Sequence, residues 1–227
     1  MAWHSIAFLP HGDHVAARAE VLHAQVKVLL HVAPRPLPAP AAHSRLPCAA
    51  PAPTPTPPLW PPGFSGEFVE SFTGGWAPPG ASNKGRWLYD YGHDRSRFDH
   101  DDGQKDNFCG CADNTTDRAC HLYFQPEGGM WAHFPEVDNC CQVCPPGGGC
   151  STLRRDWLAN GSFVGYEQIG GKMCETFTEK GSAAQDYWSQ TADGTACQYR
   201  ESLSLGPGQM IWHYLNFSSW SAATPDP

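Results

Sequence analysis

The sequence predicts a mainly β domain, built from an antiparallel sheet, stapled by disulfides and preceded by a non-globular leader. Short runs of aromatic and β-branched residues recur between clusters of Gly, Asn, Asp and Pro after residue 62, as in strands joined by turns. Nine of the ten cysteines also lie in this later part. Only this part of the 227 residues is able to bury a large core, which favours one domain.

The leader divides into two segments. Residues 1–33 contain an apolar stretch, Val15 to Val32, that predicts a short helix or a targeting segment. Lys27 interrupts its most apolar run, so it is a poor signal peptide and too short and polar to cross a bilayer. Residues 34–62 are dominated by Pro and Ala and predict a disordered linker, in which Cys48 is an isolated thiol.

The β domain is predicted over residues 63–221, with a disordered tail at 222–227. Asp193-Gly194 predicts a tight hairpin turn, because these residues tolerate positive φ, and Gly170-Gly171 predicts another. Residues 151–160 have capping residues and apolar positions at helical spacing, which predicts one short helix. Nine segments have the length and residue types of strands: Phe64 to Phe72, Trp87 to Tyr91, Cys120 to Gln125, Gly129 to Phe134, Ser162 to Ile169, Lys172 to Glu179, Gln185 to Thr191, Ala196 to Leu203 and Met210 to Phe217.

The cysteines of the β domain predict disulfides ahead of a zinc site, since their spacing does not repeat as a zinc ribbon or finger. They are Cys109, Cys111, Cys120, Cys140, Cys141, Cys144, Cys150, Cys174 and Cys197. An odd number leaves one as a free thiol, a partner of Cys48 or an intermolecular link. Glycosylation sequons at Asn114, Asn160 and Asn216 agree with an oxidising compartment, and we expect a secreted or endomembrane-lumenal protein.

Charge narrows the range of partners. The chain carries a net charge of −8, and the first 60 residues are slightly basic, so the β domain is acidic. An acidic domain lacks the clustered Lys and Arg that displace counterions from phosphates, which excludes a nucleic-acid partner. A second copy of the chain is a candidate partner.

An acidic cluster surrounds Gly103 and resembles a site for a hard cation, because Ca²⁺ prefers several oxygen ligands from a flexible loop. Asp99, Asp101 and Asp102 are the calcium candidates, and no other cofactor is expected. The spacing of these residues does not match the ligand positions of an EF-hand loop, and a solvated acidic turn is the alternative interpretation.

No complete catalytic motif is present. The chain has no Gly-x-Ser-x-Gly elbow and no papain-type context around a cysteine. A hydrolase would require His133 or His213 in a concave cluster, beside a carboxylate or a thiolate.

Aromatic residues are in surplus on the predicted strands. They either form a packed core or line a concave site for an apolar ligand. The pocket candidates are Phe68, Tyr89, Tyr91, Phe134, Trp188 and Trp212.

The segment GRWLYDYGHDRSR at residues 85–97 resembles the early signature of ependymin-related proteins and of similar plant and algal proteins. Later segments agree in order: MWAHFP at 130–135 before Cys140, FVGY at 163–166 before Cys174, QDYW at 185–188 before Asp193-Gly194 and Cys197, and IWHYLNF at 211–217. The resemblance covers Phe64 to about Trp220. The stretch from Cys109 to Cys120 and residues 145–150 depart from the family pattern.

The resemblance implies a strongly curved antiparallel half-barrel, like that of the LolA and LppX type of bacterial lipoprotein carrier, around a hydrophobic pocket. It further implies a secreted, glycosylated, calcium-associated protein that binds a lipid-like ligand without chemistry, and a bridge from Cys197 to Cys140 or Cys141. The functional expectation is therefore a non-enzymatic binder of an apolar small molecule or lipid. A structural or adhesive matrix module without a ligand is the first alternative, and an uncharacterised hydrolase is the second.

Overall fold

A computed structural model describes residues 53–74, 82–106, 108–111, 118–148, 150–181, 184–206 and 209–225. Among them no α-helix occurs, and three short 3₁₀ turns cover Tyr91–His93, Gly103–Lys105 and Cys109–Cys111. Eleven strands form the rest of the regular structure: β1 Gly63–Thr73, β2 Ser82–Asp90, β3 Arg95–His100, β4 Cys120–Phe124, β5 Met130–Phe134, β6 Asn139–Cys144, β7 Ser162–Ile169, β8 Lys172–Lys180, β9 Ala184–Gln190, β10 Ala196–Gly206 and β11 Gln209–Phe217.

The strands form one antiparallel sheet in the order β6-β5-β4-β3-β2-β1-β11-β10-β9-β8-β7. Two meanders, β1 to β6 and β7 to β11, meet where the first strand pairs with the last, with Phe68 opposite Phe217. The edge strands β6 and β7 are not paired with each other, so the sheet does not close. The prediction of a mainly β fold with an open antiparallel sheet is confirmed.

The sheet is strongly curved. Trp87 on β2 and Tyr199 on β10 are three strand positions apart, which is about 14 Å in a flat sheet at roughly 4.8 Å per strand. Their ring centroids lie only 5.5 Å apart. Side chains from the two halves therefore meet on the concave face, as in a half-barrel.

Trp60 is at the centre of the main core. It is buried, although it lies at the end of the predicted linker, and its ring contacts five other aromatic rings at centroid distances of 4.7–5.5 Å. Its backbone N–H donates to the carbonyl of Arg155, and the Arg155 side chain donates to the Trp60 carbonyl at 2.8 Å. The segment before β1 is thus fixed by hydrogen bonds through both its backbone N–H and its carbonyl.

The connection from β6 to β7 crosses the concave face, because these strands lie at opposite edges of the sheet. Tyr89 on β2 donates its hydroxyl hydrogen bond to the carbonyl of Leu153, at 2.8 Å, which holds the connection against the sheet. The prediction of a short helix within residues 151–160 is wrong: residues 155–160 form successive turns, and the backbone N–H groups of Trp157, Ala159 and Gly161 donate to carbonyls three residues earlier. Leu158, in these turns, is buried in the core.

Two predicted hairpin turns are confirmed. Gly194 has φ +86° between β9 and β10, and Gly170 and Gly171 have φ +56° and +79° between β7 and β8. Nine of the eleven strands match predicted segments, whereas β3 and β6 were not predicted.

Four disulfides join eight of the nine predicted cysteines: Cys109–Cys120, Cys111–Cys141, Cys144–Cys150 and Cys174–Cys197. The implied bridge from Cys197 to Cys140 or Cys141 is wrong, because Cys140 and Cys141 belong to the edge strand β6 while Cys197 lies on β10, seven strands away in the sheet order. Cys140 is exposed and bonds to no described cysteine. Cys48 lies outside the described residues.

No helix among the described residues has the length and apolar character needed to cross a membrane.

Candidate ligand-binding cavity

A cavity of about 380 Å³ lies on the concave side of the sheet. Its apolar lining comes mainly from β2 to β5 and from the loops that cover them. On β3, Ser96, Phe98 and His100 alternate onto the cavity side, as the two-residue period of a strand requires. The principal apolar side chains of the lining are Trp87, Phe98, Phe108, Leu122, Phe124 and Met130.

The polar side of the cavity is one connected network of ionisable groups. Tyr199 donates its hydroxyl to Asp186 at 2.8 Å, and its oxygen is 3.5 Å from Glu201. Glu201 contacts His213 Nδ1 at 2.9 Å. His213 Nε2 in turn contacts Glu70 Oε1 at 2.7 Å, and Glu70 Oε2 lies 3.1 Å from Nδ1 of His100, which extends the network to β3. We call these six residues the ionisable network.

Glu70 is the link between the two histidines. It lies on the central strand β1 between Phe68 and Phe72, which share its face, and all three are buried. The Phe72 ring stacks on His213 with centroids 4.4 Å apart. Apolar side chains therefore pack around Glu70 and His213, the middle of the network.

Burial and charge pairing shift the pKa values of this network in opposite directions. Burial would raise the pKa of Glu70, but the charges and hydrogen bonds of the two histidines hold it well below its usual range. Burial would lower the pKa of His213, but its hydrogen bonds to Glu201 and Glu70 raise it to about 10. Burial likewise opposes the cation of His100, and the charges of Glu70 and Asp106 raise its pKa to about 9. Both histidines are therefore imidazolium cations at neutral pH.

Asp106 adds a fourth carboxylate, at the β3 end of the network. Its Oδ1 accepts hydrogen bonds from the backbone N–H groups of Phe108 and Cys109, at 2.5 and 2.9 Å. Its Oδ2 faces His100 Nε2 at 3.4 Å, and each of these two buried atoms lacks a hydrogen-bond partner among the described residues. Burial and the charge of Glu70 raise the pKa of Asp106 to about 7.

Glu70, His100 and Asp106 each offer a ligand atom within 4.8 Å of the other two, and we call them the Glu-His-Asp cluster. No other group of three or more His, Cys, Asp or Glu residues in the described part of the chain meets this condition.

The calcium candidates from the acidic loop do not converge. Asp99, on β3, makes two hydrogen bonds with the guanidinium of Arg97 at 2.5 and 2.9 Å. Asp102 accepts a hydrogen bond from the backbone N–H of Gln104 and contacts Lys105, while Asp101 is exposed. The carboxylates of Asp99 and Asp102 thus already face cations or donors of the protein itself.

The six aromatic pocket candidates lie away from the cavity lining. Phe68, Tyr89 and Trp188 are buried in the main core, and Phe134 is buried in the second core, which surrounds the Cys109–Cys120 disulfide. Tyr91 is exposed in a 3₁₀ turn, and Trp212 is half-buried on β11. Four of the six candidates are buried, but none of the six borders the cavity.

The geometric condition set for a hydrolase is met in part, because His213 lies in a concave cluster beside two carboxylates. Both of its ring nitrogens are occupied by those carboxylates, however. A histidine held as a doubly paired cation has no free nitrogen to accept a proton from a nucleophile. His133 lies elsewhere, with Nε2 at 3.7 Å from the exposed Asp138.

Two of the glycosylation candidates lie in the described part of the chain. Asn160 is exposed in a turn, whereas Asn216 is half-buried on β11 and accepts a hydrogen bond from Gln198 at 2.7 Å. Asn114 lies outside the described residues.

The fold and cavity define a class of protein: an open, curved antiparallel sheet that encloses a small, mainly apolar cavity with an ionisable side. No family model and no curated protein matches the chain. Membership of the ependymin-related family therefore stays a prediction.

Among solved structures, the chain is similar to an uncharacterised conserved protein of Thermus thermophilus, with 8% identity, 72% of this chain and 80% of that chain covered, and a TM-score of 0.41. It is also similar to the Mycobacterium tuberculosis lipoprotein LppX, with 10% identity, 69% and 85% coverage and a TM-score of 0.34. A DUF1329 family protein from Desulfovibrio piger has 8% identity, 70% and 85% coverage and a TM-score of 0.31.

Proposed function

We propose that this protein is a non-enzymatic binder that holds a small hydrophobic or lipid-like molecule in the concave cavity of its half-barrel. The observation that carries the proposal is a cavity of about 380 Å³ whose lining combines large apolar side chains with members of the ionisable network. Ligand sites in proteins have this composition, and their volumes begin at about 300 Å³.

The polar groups of the lining support binding rather than catalysis. Trp87 donates its indole N–H to Ser96 at 2.8 Å, and within the ionisable network His100 Nε2 is the one buried side-chain atom that lacks a hydrogen-bond partner among the described residues. A ligand that enters the cavity therefore gains most from burying apolar surface, at about 25 cal/mol per Å². The network can orient one polar end of such a ligand.

A secreted or lumenal location is part of the proposal. Four disulfides among the described cysteines support an oxidising compartment, since they do not persist in a reducing cytosol. Modulation by calcium through the acidic loop and self-association of the chain also remain proposals, and light scattering with and without calcium tests both.

The test is to extract the purified full chain with organic solvent, identify any co-purified lipid by mass spectrometry, and titrate the delipidated protein with a fluorescent fatty acid. Leu153→Trp places an indole at a position in the lining, and we expect it to weaken binding at least tenfold. Val164→Trp is the matched control, because Val164 is exposed on β7 and outside the lining.

Saturable binding that Leu153→Trp weakens and Val164→Trp leaves unchanged supports the proposal. Equal binding by both variants places the ligand elsewhere on the protein and contradicts it. No co-purified lipid together with no fluorescence change in the unmodified chain also contradicts it, and favours a structural or adhesive module whose aromatic residues serve only as core.

A further inference from the structure

The Glu-His-Asp cluster contains more than its own hydrogen bonds explain. His100 Nε2 and Asp106 Oδ2 are buried, face each other at 3.4 Å and have no hydrogen-bond partner among the described residues. A buried polar atom without a partner costs about 1–3 kcal/mol, so such a pair requires an explanation. A metal cation placed between the two atoms would displace the Nε2 proton of His100 and use the lone pairs of the ring nitrogen and the carboxylate oxygen.

We propose that Glu70, His100 and Asp106 bind a zinc ion at the ionisable side of the cavity. Each offers one ligand atom within 4.8 Å of the other two, and all three side chains are buried. Zinc is bound tetrahedrally by imidazole nitrogen and carboxylate oxygen at about 2.0–2.2 Å, so two of its ligand atoms are about 3.3 Å apart. The observed 3.4 Å between His100 and Asp106 is close to that spacing.

The surroundings of the cluster have the features of an outer coordination shell. His213 contacts Glu70 Oε1 at 2.7 Å, which fixes the orientation of that carboxylate. Two backbone N–H groups, those of Phe108 and Cys109, fix Asp106 through Oδ1 and leave Oδ2 free to coordinate. Such partners orient the ligands, and losing one typically lowers metal affinity by about 10–100-fold.

The donor set distinguishes zinc from calcium. Calcium takes six to eight oxygen ligands, whereas this cluster provides one imidazole and two carboxylates. Three protein ligands leave a fourth coordination position, and one of the three, His100, is part of the cavity lining. The proposal does not depend on an apolar ligand, because it concerns the ligand-free protein.

The experiment is zinc and calcium titration of the full chain by calorimetry, with metal content measured after gel filtration. The leader contains six of the eleven histidines, so weak additional zinc sites are expected there. Asp106→Asn is expected to lose one tight equivalent of zinc, with affinity at that site reduced at least 100-fold. Asp156→Asn, the same change at an exposed aspartate, is expected to keep it. Near-UV circular dichroism confirms that each variant is folded.

X-ray absorption on the zinc-loaded wild-type chain tests the same proposal without a variant. The expected coordination shell contains one imidazole nitrogen, with oxygen as the remaining ligands and no sulfur. Sulfur in the coordination shell, several imidazoles, equal zinc binding by Asp106→Asn, or no tight zinc binding at all would each overturn the proposal. In the last case the cluster is a self-contained buried salt-bridge network.

Discussion

Asp186 provides a direct test of the electrostatics of the cavity. It lies in the cavity lining and accepts a hydrogen bond from Tyr199 at 2.8 Å. Burial, together with the nearby charge of Glu201, raises its pKa from 3.8 to about 6, although the Tyr199 hydrogen bond opposes this. Asp186→Asn removes the charge and keeps an oxygen that accepts the same hydrogen bond.

The size of the effect follows from this pKa. A raised carboxyl pKa means that the folded state favours the protonated form, so its contribution to stability is full below about pH 4 and is lost as the pH rises through about 6. At about 1.4 kcal/mol per pKa unit, the cost above pH 6 is at most about 3 kcal/mol. Since the Asp186 side chain is only part-buried, solvent screening reduces this cost to about 2 kcal/mol.

Urea unfolding of both proteins at pH 4, 6 and 8 measures this cost. We expect Asp186→Asn to match the wild type at pH 4 and to exceed its free energy of unfolding by about 2 kcal/mol at pH 8. Asp193→Asn is the control, because Thr191 and Thr195 lower the pKa of Asp193 by hydrogen bonding, and its neutralisation should destabilise the protein more at pH 8 than at pH 3. A difference for Asp186→Asn that does not change between pH 4 and 8 would refute the reasoning.

Three further results are expected. Replacing both Cys174 and Cys197 by alanine should lower the free energy of unfolding, measured by chemical denaturation, by about 3.4 kcal/mol. This value follows from the loop-entropy relation for their separation of 23 residues, and a loss below about 1 kcal/mol would contradict it. Trp60→Ala should cost about 3–5 kcal/mol, because it removes a buried indole from the centre of the core; an unchanged denaturation midpoint would show that the chain before β1 does not belong to the folded unit. Mass spectrometry of glycopeptides from protein expressed in a secretory pathway should find glycan on the exposed Asn160 and little on the half-buried Asn216, and full occupancy of Asn216 would contradict the placement of its side chain.

The sheet could largely be predicted from the sequence, because most strands alternate apolar with polar residues and are bounded by turn residues. The two unpredicted strands lack that pattern. β3 has the sequence RSRFDH, and β6 has three cysteines and only one buried residue among its six. The cavity-facing positions of β3 hold Ser96, Phe98 and His100, of which two are polar. A strand whose inner face borders a polar site cannot show the apolar alternation that strand prediction requires.

The ionisable network was not predicted, because no single member of it stands out in the sequence. A signal was nevertheless present: Glu70 shares the two-residue period of Phe68 and Phe72, and His213 shares that of Ile211 and Leu215. A charged residue in register with buried neighbours on a central strand predicts a buried charge, which requires a partner. The partners come from strands distant in sequence, so only the fold brings them together.

The position of Glu70 also bears on why the network exists. At the centre of β1, an apolar side chain would complete the core without the cost of removing a carboxylate and two imidazolium groups from water. Replacing buried ion pairs with apolar residues is often neutral or stabilising by about 1–4 kcal/mol, so stability alone does not account for them. Where a sequence departs from its own pattern at such a cost, the departure is expected at a functional site. The network borders the cavity and includes a buried ring nitrogen, His100 Nε2, that has no hydrogen-bond partner among the described residues. The half-barrel fold itself does not need this chemistry.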